Sequence, residues 1–408
     1  MKEKSNFISY INKTSIAVSD GPNADAFQRL RMSTPQTIFD SKQLYGDNPL
    51  IWSTLIAGNA TSSFMTNNAC MALSASATSS ITRQSKKRIN YQPGKSQLII
   101  CTGNFNTTPI AGVIKRIGYF DQNNGIGFTS SGSSFGTFLR SNMTGTPIDT
   151  FVSQSSWNLD HYDGTGASGN TLDITKSQIY FMDFEWLGVG RVRYGIFQGG
   201  VPTYVHQITN INTLSTVYMS SPNQPIRYEI INSGSVTQQY LTHVCSTVVS
   251  EGGVQQTGPI KATSNLTALA LNAGNTYGLQ AIRLKSGSLD STVIPLQIFS
   301  AQTTANCVYE VSLLSNPSGS LPWVWNDVPN STVQIASASA NTYVVANQGT
   351  KLFSAINAGT TQNDIITFDP TFALGSDVTG SQDILVLAWT GVAGNAASAT
   401  TAWTWQES

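Results

Sequence analysis

Gln178-Ile179-Tyr180-Phe181-Met182-Asp183-Phe184-Glu185-Trp186, followed after a glycine-rich break by Arg191-Val192-Arg193-Tyr194-Gly195-Ile196-Phe197, is the stretch whose reading decides the fold. Side chains of a strand point alternately to opposite faces. Tyr180, Met182, Phe184 and Trp186 therefore share one face, and Asp183 and Glu185 the other. In the second segment Val192, Tyr194 and Ile196 oppose Arg191 and Arg193. A three-residue loop, Gly188-Val189-Gly190, would set Glu185 opposite Arg193 and Trp186 opposite Val192, with Gly190 left-handed. A four-residue loop would set Trp186 against Arg191. The expectation is thus a hairpin with an ion-paired outer face made by Asp183, Glu185, Arg191 and Arg193.

Working outward, alternating segments bounded by Gly, Pro, Asn and Ser recur, and helical periodicity is scarce. They predict strands at Ser96 to Asn104, Gly112 to Asp121, Tyr204 to Ile208, Ile226 to Ile231 and Tyr240 to Val249. After the Gly, Gln and Pro of residues 250–259 the pattern resumes at Thr276 to Lys285, Val293 to Phe299, Cys307 to Leu313, Asp383 to Trp389 and Ala402 to Trp405. The prediction is an all-β chain of two β-sandwich, jelly-roll-like domains, 49–252 and 259–408, preceded by an extended N-terminal arm, 1–48. The arm carries Pro22 and Pro35 and little alternation, and it suits docking or oligomer contacts.

Composition bounds the partners. Only 11% of the 408 residues are charged, with 22 Lys and Arg against 22 Asp and Glu, while 40% are hydrophobic. The surface is therefore polar but largely uncharged, and there is no global attraction to nucleic acid. Residues 1–258 carry a net +4 and residues 259–408 a net −4, which separates the two regions. Cys70, Cys101, Cys245 and Cys307 are scattered and are expected as reduced, buried thiols. No signal-peptide core and no apolar run of membrane-spanning length is read, so no membrane span is expected.

Motifs that resemble chemistry stand in the wrong context. Gly164-Thr165-Gly166-Ala167-Ser168-Gly169 has dinucleotide-loop spacing, but a strand follows where a helix must begin. Gly132-Ser133-Ser134-Phe135-Gly136 has the spacing of a nucleophile elbow in a Ser-rich, β-like setting. His161, His206 and His243 form no metal-ligand spacing, and His206 reads as a packed strand residue. No cofactor is implied, and the chain is expected not to be an enzyme. Asp183 and Glu185, two apart on one strand face, could divide acid and nucleophile roles in a polysaccharide depolymerase, the weakest of the readings. Arg83, Lys86, Lys87, Arg88 and Lys95, interleaved with Tyr91, form the one basic cluster, which reads as a solvated hairpin end or a subunit contact. Trp403 and Trp405 alternate in the last strand with Thr404 between them. Such Trp are more often core, but exposed they could stack on sugar rings.

Several segments carry a resemblance. Phe27-Gln28-Arg29-Leu30-Arg31-Met32-Ser33-Thr34-Pro35, Phe39-Asp40-Ser41-Lys42, Tyr91-Gln92-Pro93-Gly94-Lys95-Ser96, residues 183–193 and Val248-Val249-Ser250-Glu251-Gly252-Gly253 resemble, in order, those of virion structural proteins of tailed, often aquatic, bacteriophages and some large DNA viruses. The resemblance spans residues 25–255. It implies a virion component, and the leading expectation is an oligomeric appendage, fibre or capsid-decorating protein, a homotrimer with other virion proteins as partners. The alternative function is adsorption to a host surface glycan.

Overall fold

The computed structural model describes residues 9–11, 15–17, 33–234, 237–254, 258–272, 274–303, 306–315, 323–337, 349–358, 362–368, 372–392 and 397–408. Among the described residues there are strands and three short 3-10 turns but no α-helix, as the alternation predicts. The strands from Gln36 to Ser250 form two antiparallel sheets, and those from Ile260 to Glu407 form two more.

In the first sandwich an eight-stranded sheet runs in the order Val201–Ile208, Val192–Gln198, Gln178–Phe184, Gln97–Asn104, Gln239–Ser250, Cys70–Ala75, Thr61–Met65, with Gln36–Lys42 also pairing with Gln239–Ser250. Facing it, a seven-stranded sheet runs Ile148–Ser153, Ser134–Ser141, Gly125–Ser131, Val113–Phe120, Ile226–Asn232, Ser79–Ser85, Trp52–Ala57. Between them lies a core rich in aromatic residues: Phe128 packs on Tyr180, with 4.9 Å between ring centroids, and on Tyr194 and Trp157. Tyr180, Met182, Phe184, Val192, Tyr194 and Ile196 are all buried there, as the two-residue period requires.

The hairpin register differs from the expectation by two residues. Asp183 pairs with Arg193 and Phe184 with Val192. Outside the strands the Glu185 amide donates to the Arg191 carbonyl at 3.2 Å and the Gly190 amide to the Trp186 carbonyl at 2.8 Å. A shift of two keeps every side chain on its face, so apolar still meets apolar and acid still meets base. Trp186 leaves the strand instead of facing Val192: its indole N–H donates to the Met219 carbonyl at 3.1 Å and its ring meets Tyr91 edge-on. The left-handed residues of the turn are Leu187 and Gly188, not Gly190.

The arm expectation is corrected at its inner end. Gln36–Lys42 is a full strand of the eight-stranded sheet, in register with residues 245–250, and Phe39 is buried against Trp52. Of the rest, only the short pairing of Ser9–Ile11 with Ser15–Ala17 is described before residue 33. The two remaining sequence motifs are turns. Gly132 and Ser133 join the hairpin of Gly125–Ser131 and Ser134–Ser141. The 164–169 loop wraps the buried Asp160, whose carboxylate accepts from the Tyr162 and Ser168 amides, and a Cβ on Gly166 would lie 2.1 Å from that carboxylate.

In the C-terminal half, a sheet of Ile260–Leu271, Ala397–Glu407, Val293–Thr303 and Gln362–Thr367 faces a six-stranded sheet built around Ile384–Gly391. The Trp403 and Trp405 side chains are 1% and 0% exposed, in one core with Trp389. They do not form a sugar-stacking surface, because alternation in their strand turns both rings inward; Trp405 also donates to Glu407 at 2.7 Å.

The two halves touch. Lys86 Nζ lies 3.5 Å from the Asp383 carboxylate with both side chains buried, the Ser376 amide donates to the Lys86 carbonyl, and the Val378 amide donates to the Ser53 hydroxyl.

Candidate functional site

The two outer faces of the first sandwich are built differently, and the register shows why. On the seven-stranded sheet the outward residues fall in cross-strand rows. One runs Asp149, Arg140, Gly125, Phe120; the next runs Phe151, Phe138, Gly127, Gly118, Arg227, Gln84; a third places Arg116 beside Glu229. Gly127 has no side chain, which leaves room for the Phe138 ring; a Cβ there would sit 2.8 Å from it. Phe120 and Phe138 are buried although they face outward, because guanidinium groups cover them: Arg116 and Arg140 lie over Phe138, and Arg140 and Arg227 over Phe120. The guanidiniums are then locked by carboxylates. Arg116 reaches Glu229 at 2.6 Å and Asp149 at 2.9 Å, and Arg140 grips Asp149 through two nitrogens at 2.6 and 2.9 Å. Burial works to raise the Asp149 carboxyl, but Arg140 and Arg116 outweigh it and hold it below the usual carboxylate range.

The outer face of the eight-stranded sheet is open at one end. A groove of about 740 Å³ is lined by Thr61, Ser63 and Met65 of the edge strand, Cys70, Ala72 and Ser74 of its neighbour, Tyr240, Thr242 and Val244 of the long strand, and Asn68, Asn104, Asn106, Ser177 and Gln238. None of these residues is charged. Their polar groups are held by one another: Thr61 and Ser74 hydroxyls are 2.8 Å apart, Gln238 donates to Ser74 at 3.0 Å, and Asn106 donates to Thr242 at 3.1 Å. Each hydroxyl and amide still has capacity for further bonds to a ligand. Tyr240 is 45% exposed and presents the one aromatic ring of the lining. The whole is a neutral, pre-organised hydrogen-bonding trough with an aromatic wall.

The charges predicted for the hairpin sit elsewhere on this sheet and do not line the groove. Arg193 donates to Asp183 through Nε at 2.7 Å and again through a terminal nitrogen, and the Tyr204 hydroxyl donates to the same carboxylate at 2.5 Å. The Arg193 guanidinium lies 4.1 Å over the Tyr204 ring. Burial, and then the Asp183 carboxylate, push the Tyr204 hydroxyl well above its ordinary value. Asp183 is therefore fully engaged, while Glu185 and Arg191 are exposed beyond the strand end. Arg193 takes Asp183 as its partner where Glu185 was expected.

The basic cluster is also corrected: its members are spent inside the chain. Arg83 is 0% exposed, over the Trp52 ring and 2.7 Å from Asp47. Lys86 meets Asp383, Arg88 meets Asp121 at 2.7 Å, Lys87 reaches the Ile38 carbonyl at 3.5 Å, and Lys95 donates to Gln92 and to the Gly253 carbonyl. The first sandwich holds Arg83 and Arg88 through Asp47 and Asp121, and Lys86 is paired with a carboxylate of the C-terminal half. Of the cysteines, Cys70, Cys101 and Cys307 are buried and outside any disulfide, as expected, with burial pushing Cys101 up to about 12, but Cys245 is exposed. His206 is packed on Tyr194, and burial lowers its imidazole below the ordinary value.

No family model matches the sequence, and no curated protein does. Solved structures are similar over about half of the chain. The Bacillus licheniformis β-glucanase shares 12% identity over 52% of this chain and 96% of its own, with a TM-score of 0.31. The endo-1,3-beta-glucanase of Streptomyces sioyaensis shares 10% over 54% and 98%, with a TM-score of 0.36. The Emp47p carbohydrate recognition domain shares 9% over 56% and 100%, with a TM-score of 0.34. The β-sandwich architecture itself is read from the sheets described above. The recurrence of β-glucanases among the matches overturns the expectation, drawn from motif context, that the chain is not an enzyme, and that exclusion is dropped.

Proposed function

We propose that this chain binds carbohydrate, and that the groove on the outer face of the eight-stranded sheet is where it does so. The observation that carries the reading is the lining itself: hydroxyls and amides fixed by mutual hydrogen bonds, no charge, and an exposed tyrosine ring. A sugar offers a dense set of neutral hydroxyls and apolar C–H faces. Such a ligand matches fixed donors and acceptors beside an aromatic wall. A charged ligand would have to give up its hydration without gaining a counter-charge.

The ordered segmental resemblance to virion structural proteins supports placing this groove on a virus particle, as a surface that adsorbs the particle to a glycan. Ser63 is exposed on the edge strand, so Ser63→Trp would fill the trough without disturbing the core. The intact chain on a glycan array is expected to retain neutral glycans, and the Ser63→Trp chain to lose them. Glycan retention that survives Ser63→Trp would place the site elsewhere and refute the reading.

A further inference from the structure

We infer that the groove seats its glycan across the strands rather than along them, and that it is built for an unbranched, uncharged stretch of about four or five sugar units, the five strands spanning roughly 19 Å at their ordinary spacing of about 4.8 Å. The inference rests on the reading of the groove as the carbohydrate site and specifies what that site selects.

The argument comes from the register. Ser63 pairs with Ala72, Ala72 with Thr242, and Thr242 with Asn104. Gln178 pairs with Gly103, which sets Ser177 beside Asn104. Ser63, Ala72, Thr242, Asn104 and Ser177 therefore form one row at right angles to the strands, and all five line the cavity. On one side runs the row Thr61, Ser74, Tyr240. On the other stand Met65, Cys70 and Val244, with Met65 43% exposed. The middle row has the short side chains and the flanking rows the long ones, Tyr240 and Met65, so the low path between the walls crosses the strands.

Length follows from that direction. An extended pyranose chain repeats at close to the strand spacing, so successive units can meet successive strands. Ser63, Thr242, Asn104 and Ser177 each offer a hydroxyl or amide at that interval, with Ala72 as the one apolar step. Tyr240 stands on the middle strand of the five, where a ring can lie against the central unit. The flanking rows stand on three of the five strands, two residues to either side, roughly 13 Å apart along the strand direction. That width takes one chain and leaves no room for a branch at the floor.

Charge selection is the remaining element. With no cation in the lining, a uronic or sialic carboxylate entering the trough loses water and meets only neutral groups.

The experiment is isothermal titration of the intact chain with linear neutral hexose oligomers of increasing length and with a uronic acid oligomer of matched length. Affinity is expected to climb with each unit up to about four or five and then level off, the uronic oligomer to bind at least about tenfold more weakly, and Tyr240→Ala to weaken the best oligomer about tenfold. Ser63→Trp and Ala72→Trp are both to be compared with the parent by thermal melting; the exposed Ser63 keeps the test valid should the Ala72 variant fail to fold. Binding that levels off at one or two units, or that favours the uronic oligomer, while remaining sensitive to Ser63→Trp, would overturn this inference and leave the carbohydrate reading standing. No binding by any oligomer would overturn both.

Discussion

The two outer faces of the first sandwich belong to sheets of the same core, and they are finished in opposite ways. On the seven-stranded sheet, Phe120 and Phe138 lie outward in the space left by glycines, and arginines seal them, each answered by a carboxylate. On the eight-stranded sheet, the outward positions at one end carry Ser, Thr, Ala and Asn and are left open. The difference teaches what each face is for. Interlocked charge spends most of its hydrogen-bonding capacity within the chain, so the first face is a structural lid over Phe120 and Phe138. Short neutral side chains retain capacity, which suits the second to the ligand proposed for it.

The largest effect is expected from breaking the lid. Arg116→Ala leaves the buried Glu229 to Arg227 alone and the partly buried Asp149 to Arg140 alone, and it should destabilise the first sandwich by about 2–3 kcal/mol in denaturant unfolding. Glycan binding by the fraction still folded should be unchanged, which would show the two faces to be independent. A smaller loss is expected where the halves meet. Lys86→Met strands Asp383, whose carboxyl burial already raises above its ordinary value against the pull of Lys86. That variant should unfold at a lower denaturant concentration than the parent, by less than Arg116→Ala does.

The open face should show the reverse behaviour. Tyr240→Ala, at a 45% exposed position, should move stability by no more than about 0.5 kcal/mol while weakening glycan binding, so an unfolding midpoint well below the parent's would contradict its assignment to a ligand surface. The smallest effect is one of pH. Lys115 points inward from the seven-stranded sheet, its ammonium donating to the Phe105 carbonyl and the Thr107 hydroxyl at 2.7 Å each, and burial lowers it to about 8. A folded-state value below the unfolded one means that the unfolded chain binds the extra proton. Stability should therefore rise as pH goes from about 8 towards 10.5, and Lys115→Met should flatten that rise.

Much of the fold is legible in the sequence because strand alternation is local. Gln178–Phe184 and Val192–Gln198 show their buried faces within seven residues each. The register of that hairpin is less legible, since a two-residue slip preserves every face and only the turn distinguishes Asp183 from Glu185 as the partner of Arg193. The lid escapes local reading altogether. Arg116, Asp149 and Glu229 lie far apart in sequence, and nothing near Phe120 or Phe138 says that an outward aromatic will be covered. The groove escapes for the same reason, being assembled from residues 61–65, 68–74, 104–106, 177 and 238–244, none of which carries a motif. Trp403 and Trp405 are core residues, the reading their alternation favours, and the sugar-platform alternative falls because their face of the last strand is the inner one.

The central claim is that one outer face is knit together by its own charges and the other receives a glycan. It is tested most directly by amide hydrogen exchange of the intact chain with and without a saturating neutral hexose oligomer. Protection should appear at Thr61–Met65, Cys70–Ala75 and the first half of Gln239–Ser250, and exchange at Val113–Phe120 and Ser134–Ser141 should be unchanged. Protection confined to the arginine-covered sheet, or to the C-terminal half, would contradict it.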